Sequence, residues 1–116
     1  MFKFEELRVY QDALEFINNI YEITQKWPKD EIFGLTNQLR RASVSIALNI
    51  AEGSSRSKKD FRHFLSLSRG SCYECVAILT IAKKREYISQ KDFDDNYQYC
   101  IKLAKMLSSL RTSLKL

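Results

Sequence analysis

Hydrophobic positions recur along this chain every three or four residues, the period of an α-helix, in four blocks separated by short polar links. The first block covers about residues 6–26 and aligns Leu7, Tyr10, Leu14, Ile17, Tyr21 and Thr24 on one stripe, the expected inward face. Trp27-Pro28 ends it, because the residue before a proline avoids helical geometry. The second block, 35–52, aligns Leu35, Leu39, Ala42, Ile46, Asn49 and Ile50, with Gly53 expected as a left-handed cap. Ser57 with Asp60, and Ser89 with Asp92, carry capping signatures. They open a third helix over about 58–86 and a fourth over about 90–114. Phe61, Leu65, Cys72, Cys75, Leu79 and Ala82 line the third; Phe93, Tyr97, Cys100, Leu103 and Leu107 line the fourth. Short links between long helices imply antiparallel neighbours. The pattern therefore predicts an all-α, antiparallel up-down-up-down four-helix bundle, one domain over 1–116.

These stripes leave hydrophobic residues unused. Val44, Leu48 and Ala51 point away from Ile46; Leu67, Gly70, Ala77, Ile78 and Ile81 point away from Cys72; Val9, Phe16, Ile20, Ile23 and Trp27 lie opposite Leu14. A helix that is apolar on two sides is buried on two sides. A small bundle covers one face of each helix, so the second faces imply packing against further copies of the chain.

Composition changes the picture mainly through charge. The net +5 is unevenly placed: residues 40–86 hold 10 basic and 4 acidic groups, whereas 1–39 hold 4 and 7. A localised positive field of this kind suits a polyanionic partner, although a solvated face with no partner is the bland alternative. The basic residues are Arg40, Arg41, Arg56, Lys58, Lys59, Arg62, Arg69 and Lys83-Lys84-Arg85. Of these, Arg56, Lys58, Lys59 and Arg62 gather at the expected start of the third helix, where free backbone N–H groups also favour anions. No apolar run approaches the roughly 18 residues of a membrane span. The N-terminus has no secretory core, and three cysteines are an odd number, so a reducing cytoplasm is expected.

No catalytic constellation emerges. Cys72-Tyr73-Glu74-Cys75 is a CxxC, but it falls within a helix rather than at its start, so core cysteines are the better reading. A zinc site would require two more ligands, and His63, nine residues from Cys72, is too far along the helix to supply one. His63 reads as a surface residue with phosphate contact as the alternative. No cofactor and no enzymatic activity are expected. Asn49, Glu52, Gly53 and Glu74 read as structural: a buried amide needs partners, and Glu74 is expected to pair with Arg40 or Arg41, within or between subunits.

The stretch LTNQLRRASVSIALNIAEGSSR, followed by DFRHFLSLSRGSCYE, resembles the four-helix-bundle family encoded in intervening sequences of bacterial 23S ribosomal RNA genes. Leu7, Val9, Tyr10 and Ala13, together with Trp27-Pro28, fit the same pattern, so the resemblance covers nearly the whole chain. It is similar as well to accessory variability proteins of diversity-generating retroelements. The resemblance implies a homopentameric ring of short bundles that contacts nucleic acid and a nucleic-acid-processing protein through basic surfaces. Arg40, Arg41, Asn49, Glu52, Gly53 and Arg56 fall on its motif positions. The expectation is a non-enzymatic homo-oligomer that binds RNA or DNA without strong sequence preference. A protein-interaction scaffold whose basic surface meets a partner protein is the competing reading.

Overall fold

A computed structural model describes residues 1–115; Leu116, the last residue of the expected domain, lies outside them. The described residues form four α-helices and no strand: α1 (Arg8–Thr24), α2 (Leu35–Ser54), α3 (Lys58–Lys84) and α4 (Gln90–Ser113). Single 3₁₀ turns at Lys3–Glu6 and Lys29–Glu31 precede α1 and α2. Each long helix touches two others, in the cycle α1–α2–α3–α4–α1. The body measures 45 × 22 × 21 Å.

Both expected caps form. The hydroxyl of Ser57 accepts the Asp60 N–H at 3.2 Å, and that of Ser89 accepts the Asp92 N–H at 3.1 Å. Each satisfies one orphan donor of a helix start, worth about 1 kcal/mol. α3 ends in a left-handed turn at Glu86, φ 62°. The Tyr87 N–H reaches back to the Ala82 carbonyl at 2.9 Å and the Glu86 N–H to Lys83 at 3.1 Å, the paired bonds of a Schellman ending.

Cross-helix contacts set the register. Ser68 donates to the Ile46 carbonyl (2.8 Å) and Ser71 to the Ser45 hydroxyl (3.1 Å). Gly53 lies against Phe61 and Phe64. Tyr99 donates to Glu15 at 3.0 Å, and Lys102 pairs with the buried Asp12 at 3.3 Å, fixing α4 against α1. Leu39, Ile46, Ile50, Leu65, Leu79 and Leu103 are fully enclosed between the helices; burial of such side chains contributes about 1.5–3 kcal/mol each.

The face of α1 differs from expectation. Its buried stripe is Val9, Ala13, Phe16 and Ile20, while Leu14 and Tyr21 are about 40% exposed. The residues assigned to a second face are thus the core face, and the outward side of α1 carries Leu14 and Tyr21. The helix also stops at Thr24, and Trp27 folds back into the core (4% exposed). On α3, Ile78 likewise belongs to the core (5% exposed).

Gly53 is not a left-handed cap. No glycine has positive φ, and α2 runs through it to Ser54. Its role is spatial: a Cβ there would lie 2.6 Å from Phe64 Cβ and 2.9 Å from Phe61 Cδ1. The absent side chain lets α2 and α3 approach closely near their junction.

The start of α2 is tied to the far end of α3. Glu31 accepts the Leu35 N–H at 3.1 Å and the Tyr87 hydroxyl at 2.9 Å. Gly34 leaves room for this carboxylate, because a Cβ would meet Glu31 Oε1 at 2.6 Å. The two hydrogen bonds, that from Leu35 first, hold the Glu31 carboxyl below its ordinary pKa.

Candidate nucleic-acid interface

The basic residues that look continuous in sequence separate in space. α3 has 27 residues, hence a length of about 40 Å at 1.5 Å per residue. Arg56, Lys58, Lys59 and Arg62 stand at its beginning, Lys83, Lys84 and Arg85 at its end. They form two groups at opposite ends of the molecule.

Folding accounts for much of the second group. Lys83 and Lys84 occupy the last turn of α3, where the negative end of the helix dipole favours cations. Arg85 leans on Tyr87, with its guanidinium 5.8 Å from the ring centre, and adds its charge beside Glu31. Arg40 is also occupied. It donates to the Thr24 hydroxyl (2.9 Å) and the Tyr21 carbonyl (3.5 Å) and lies over the Tyr21 ring at 4.7 Å. It thereby serves the open carbonyl end of α1. Arg41 and Glu74 are both exposed, and among the described residues neither is in an ion pair. The expected pairing of Glu74 with Arg40 or Arg41 is therefore absent within the chain.

At the beginning of α3, Arg62 has turned inward along the chain ends. It donates to the Arg111 carbonyl at 2.8 Å and the Leu114 carbonyl at 3.0 Å, closing the end of α4. Arg56 lies over Phe64 (5.1 Å) and pairs with Glu52 at 3.7 Å; both side chains remain about half exposed. Lys58 and Lys59 are exposed and outside every ion pair among the described residues. They hold the first two positions of α3, at the positive end of its dipole, where acidic side chains are favoured and cations are not. Helix stability gives no reason for them.

The Arg62 bridge also carries Arg111 and Lys115, both exposed, to this corner. Sequence reasoning missed these two, because only the tertiary register of α4 against α3 brings them near Lys58. His63, beside them in sequence, is exposed and meets Phe64 edge-on at 6.0 Å.

Asn49 is half-buried rather than a core residue. Its amide nitrogen donates to the Ser45 carbonyl (2.9 Å) and hydroxyl (3.0 Å), and Ser45 in turn accepts from Ser71. The residue completes a polar ladder between α2 and α3. A groove between α3 and α4 and a hollow beside Trp27 are lined by none of Asn49, Glu52 and Arg56. Cys72, Cys75 and Cys100 are buried, free thiols. Burial pushes all three pKa values up, that of Cys72 to about 12. Such thiols pack as small hydrophobes. Among the described residues no group of three or more His, Cys, Asp or Glu is arranged to hold a metal, and no helix is long and apolar enough to cross a membrane.

A search of curated proteins gives no match. Among solved structures, the fold is similar to a protein of unknown function from the S23 ribosomal protein family of Bacteroides thetaiotaomicron VPI-5482. The TM-score is 0.82, with 24% sequence identity over 90% of this chain and 95% of that one. The likeness establishes the fold. The family model described as 23S rRNA-intervening sequence protein matches residues 5–109, and the chain belongs to that family.

Proposed function

We propose that this protein is a non-enzymatic, homo-oligomeric, up-down-up-down four-helix bundle that binds nucleic acid, RNA foremost, at the corner where α3 begins and α4 ends. The observation that carries the reading is the placement of Lys58 and Lys59. Among the described residues they are in no ion pair, at a helix start whose dipole disfavours them, and a phosphate backbone supplies the counter-charge. Arg56, Arg111 and Lys115 widen the same positive surface. Nothing there resembles a base-reading element, so charge and backbone shape govern the contact.

Assembly rests on α2 and α3. Leu48, Leu67 and Ile81 are 62%, 45% and 49% exposed, apolar side chains that a neighbouring copy would cover. Gly70 lies on the exposed side of α3, with open space where a Cβ would be. It offers a flat spot for a neighbouring helix. A ring would repeat the corner once per subunit and multiply weak phosphate contacts; five copies are what the family resemblance implies. The opposed order of the cross-helix contacts, Gly53 with Phe61 and Ser45 with Ser71, supports the up-down arrangement. A reducing cytoplasm suits the three free thiols.

Fluorescence anisotropy with a labelled single-stranded RNA at low salt tests the reading. Lys58→Glu with Lys59→Glu should weaken binding at least tenfold, while native mass is unchanged and helix stability rises by about 0.3–1 kcal/mol per site. Unaltered affinity would remove the corner from the account. Absence of RNA binding by the parent chain at low salt would favour a protein partner instead. Gly70→Trp should lower native mass; an unchanged mass would exclude this side of α3 from the interface.

A further inference from the structure

A groove of about 690 Å3 runs between α3 and α4, lined by none of the residues of the proposed RNA corner. This volume is within the range of small-molecule sites. Cys72 and Cys100, each 1% exposed, form its floor with the half-buried Val76 and Ala104. Tyr73 and Tyr97 stand exposed at its sides.

The charged residues of the groove, Arg69 and Lys105, lie at one end. Arg62 on α3 reaches Arg111 and Leu114 on α4, so later residues of α3 meet earlier residues of α4. Arg69 therefore comes level with Lys105, close to the hydroxyls of Ser108 and Ser109, and Val76 comes level with Tyr97. Eight residues of α4 separate the Lys105 and Tyr97 levels, about 12 Å at 1.5 Å per residue.

The two cations are available. Among the described residues neither Arg69 nor Lys105 is in an ion pair, and no carboxylate lines the groove. Arg69 is held at the rim, with its guanidinium 4.9 Å from the Tyr73 ring centre and an N–H donating to the Tyr73 hydroxyl at 2.9 Å. Two cations thus flank one end of a trough with an apolar floor. Hydrophobic burial along the floor and charge-assisted hydrogen bonds at the head select one kind of molecule. It is slender, apolar and anionic at a single end.

We propose that this groove binds a medium-chain carboxylate, with its head between Arg69 and Lys105 and its chain along Cys100 toward Tyr97. The site is independent of RNA binding.

Isothermal titration of the full chain with dodecanoate, kept below its micelle threshold, is the direct test, and dodecanol serves as the uncharged match. The expected result is one saturable site per chain. Arg69→Gln combined with Lys105→Gln should weaken dodecanoate at least tenfold, the loss of charged hydrogen bonds, and leave dodecanol unaffected. Both substitutions are at exposed positions, so folding should persist. Ala104→Trp should fill the trough and abolish binding of both ligands at unchanged native mass and RNA affinity. Unsaturable or undetectable dodecanoate binding overturns the proposal. So does equal weakening of dodecanol and dodecanoate by the double substitution. A fall in native mass with Ala104→Trp, alongside no dodecanoate binding by the parent chain, would assign the groove to a second copy and also overturn it.

Discussion

Gly53→Ala sets two effects against each other, and the structure decides their sign. In a helix interior alanine is favoured over glycine by roughly 1 kcal/mol. Gly53 lies within α2, so propensity alone predicts a more stable variant. Opposing this, the new Cβ would be 2.6 Å from Phe64 Cβ and 2.9 Å from Phe61 Cδ1. Comfortable carbon contacts lie near 3.5–4.0 Å. A Cβ moves with its backbone, so no rotamer of Phe64 relieves the closer contact. α2 and α3 must separate by about 1 Å, forfeiting a quarter to a half of the dispersion energy at the atoms around the contact. Overpacking of this kind costs about 1–3 kcal/mol. The upper part of that range applies, because the obstruction is attached directly to backbone. After the gain in propensity, the expected net destabilisation is roughly 2 kcal/mol. In urea denaturation, with a slope near 2 kcal/mol per molar, the midpoint should fall by about 1 M. A midpoint equal to or above the parent's would refute the close-approach argument and restore Gly53 to an ordinary helical position.

Other expected outcomes test separate parts of the fold. Glu86→Gly relieves a non-glycine residue at φ 62° and should raise stability by up to about 1 kcal/mol, net of glycine's greater freedom when unfolded; a lower thermal midpoint would contradict this. Arg62→Gln removes donors from the Arg111 and Leu114 carbonyls and should cost about 1–2 kcal/mol, with hydrogen exchange speeding first at the end of α4. Uniform speeding along all helices would argue against a local cap. The Glu31 pKa is depressed by the bonds from Leu35 and Tyr87, so its contribution is present above the unfolded value near 4.5 and disappears as pH falls through the lower folded value. Stability of Glu31→Gln should accordingly depend less on pH in that acid window, and an unchanged profile would dismiss the bridge. Native Cys72, Cys75 and Cys100 should resist iodoacetamide at pH 8, since burial keeps them protonated; rapid labelling that does not need unfolding would contradict their packing role.

The chain's punctuation was readable because it is local. Ser57 and Ser89 announce helix starts through bonds to residues three positions on, and the structure places both as expected. The phase of α1 was less legible, since Tyr10–Leu14–Tyr21 and Val9–Phe16–Ile20 are both apolar at helical spacing. Tyrosines can keep their hydroxyls in water while covering apolar surface, so the pattern does not choose between the stripes. The surroundings of Leu14 contain a usable signal: Gln11, Asn18 and Glu22 share its side of the helix, and that side faces outward. For the basic surface, sequence gives charge but not occupation. Arg40 and Arg62 bind carbonyls 19 to 52 positions away, a duty that exists only once the helices are in register. The same register recruits Arg111 and Lys115. Gly53 was correctly marked as special, but a left-handed turn was expected where a close helix contact occurs.

The salt dependence of RNA affinity tests the functional account most directly. Lys58, Lys59, Arg111 and Lys115 are four exposed cations at one corner. With a slope of about 0.7 per phosphate contact on a single strand, log affinity should fall with log salt with a slope near −3 per engaged subunit. Lys58→Glu with Lys59→Glu should reduce that slope by about half. A flat salt response, or a steep one that the double substitution leaves intact, would contradict the assignment of this corner to nucleic acid.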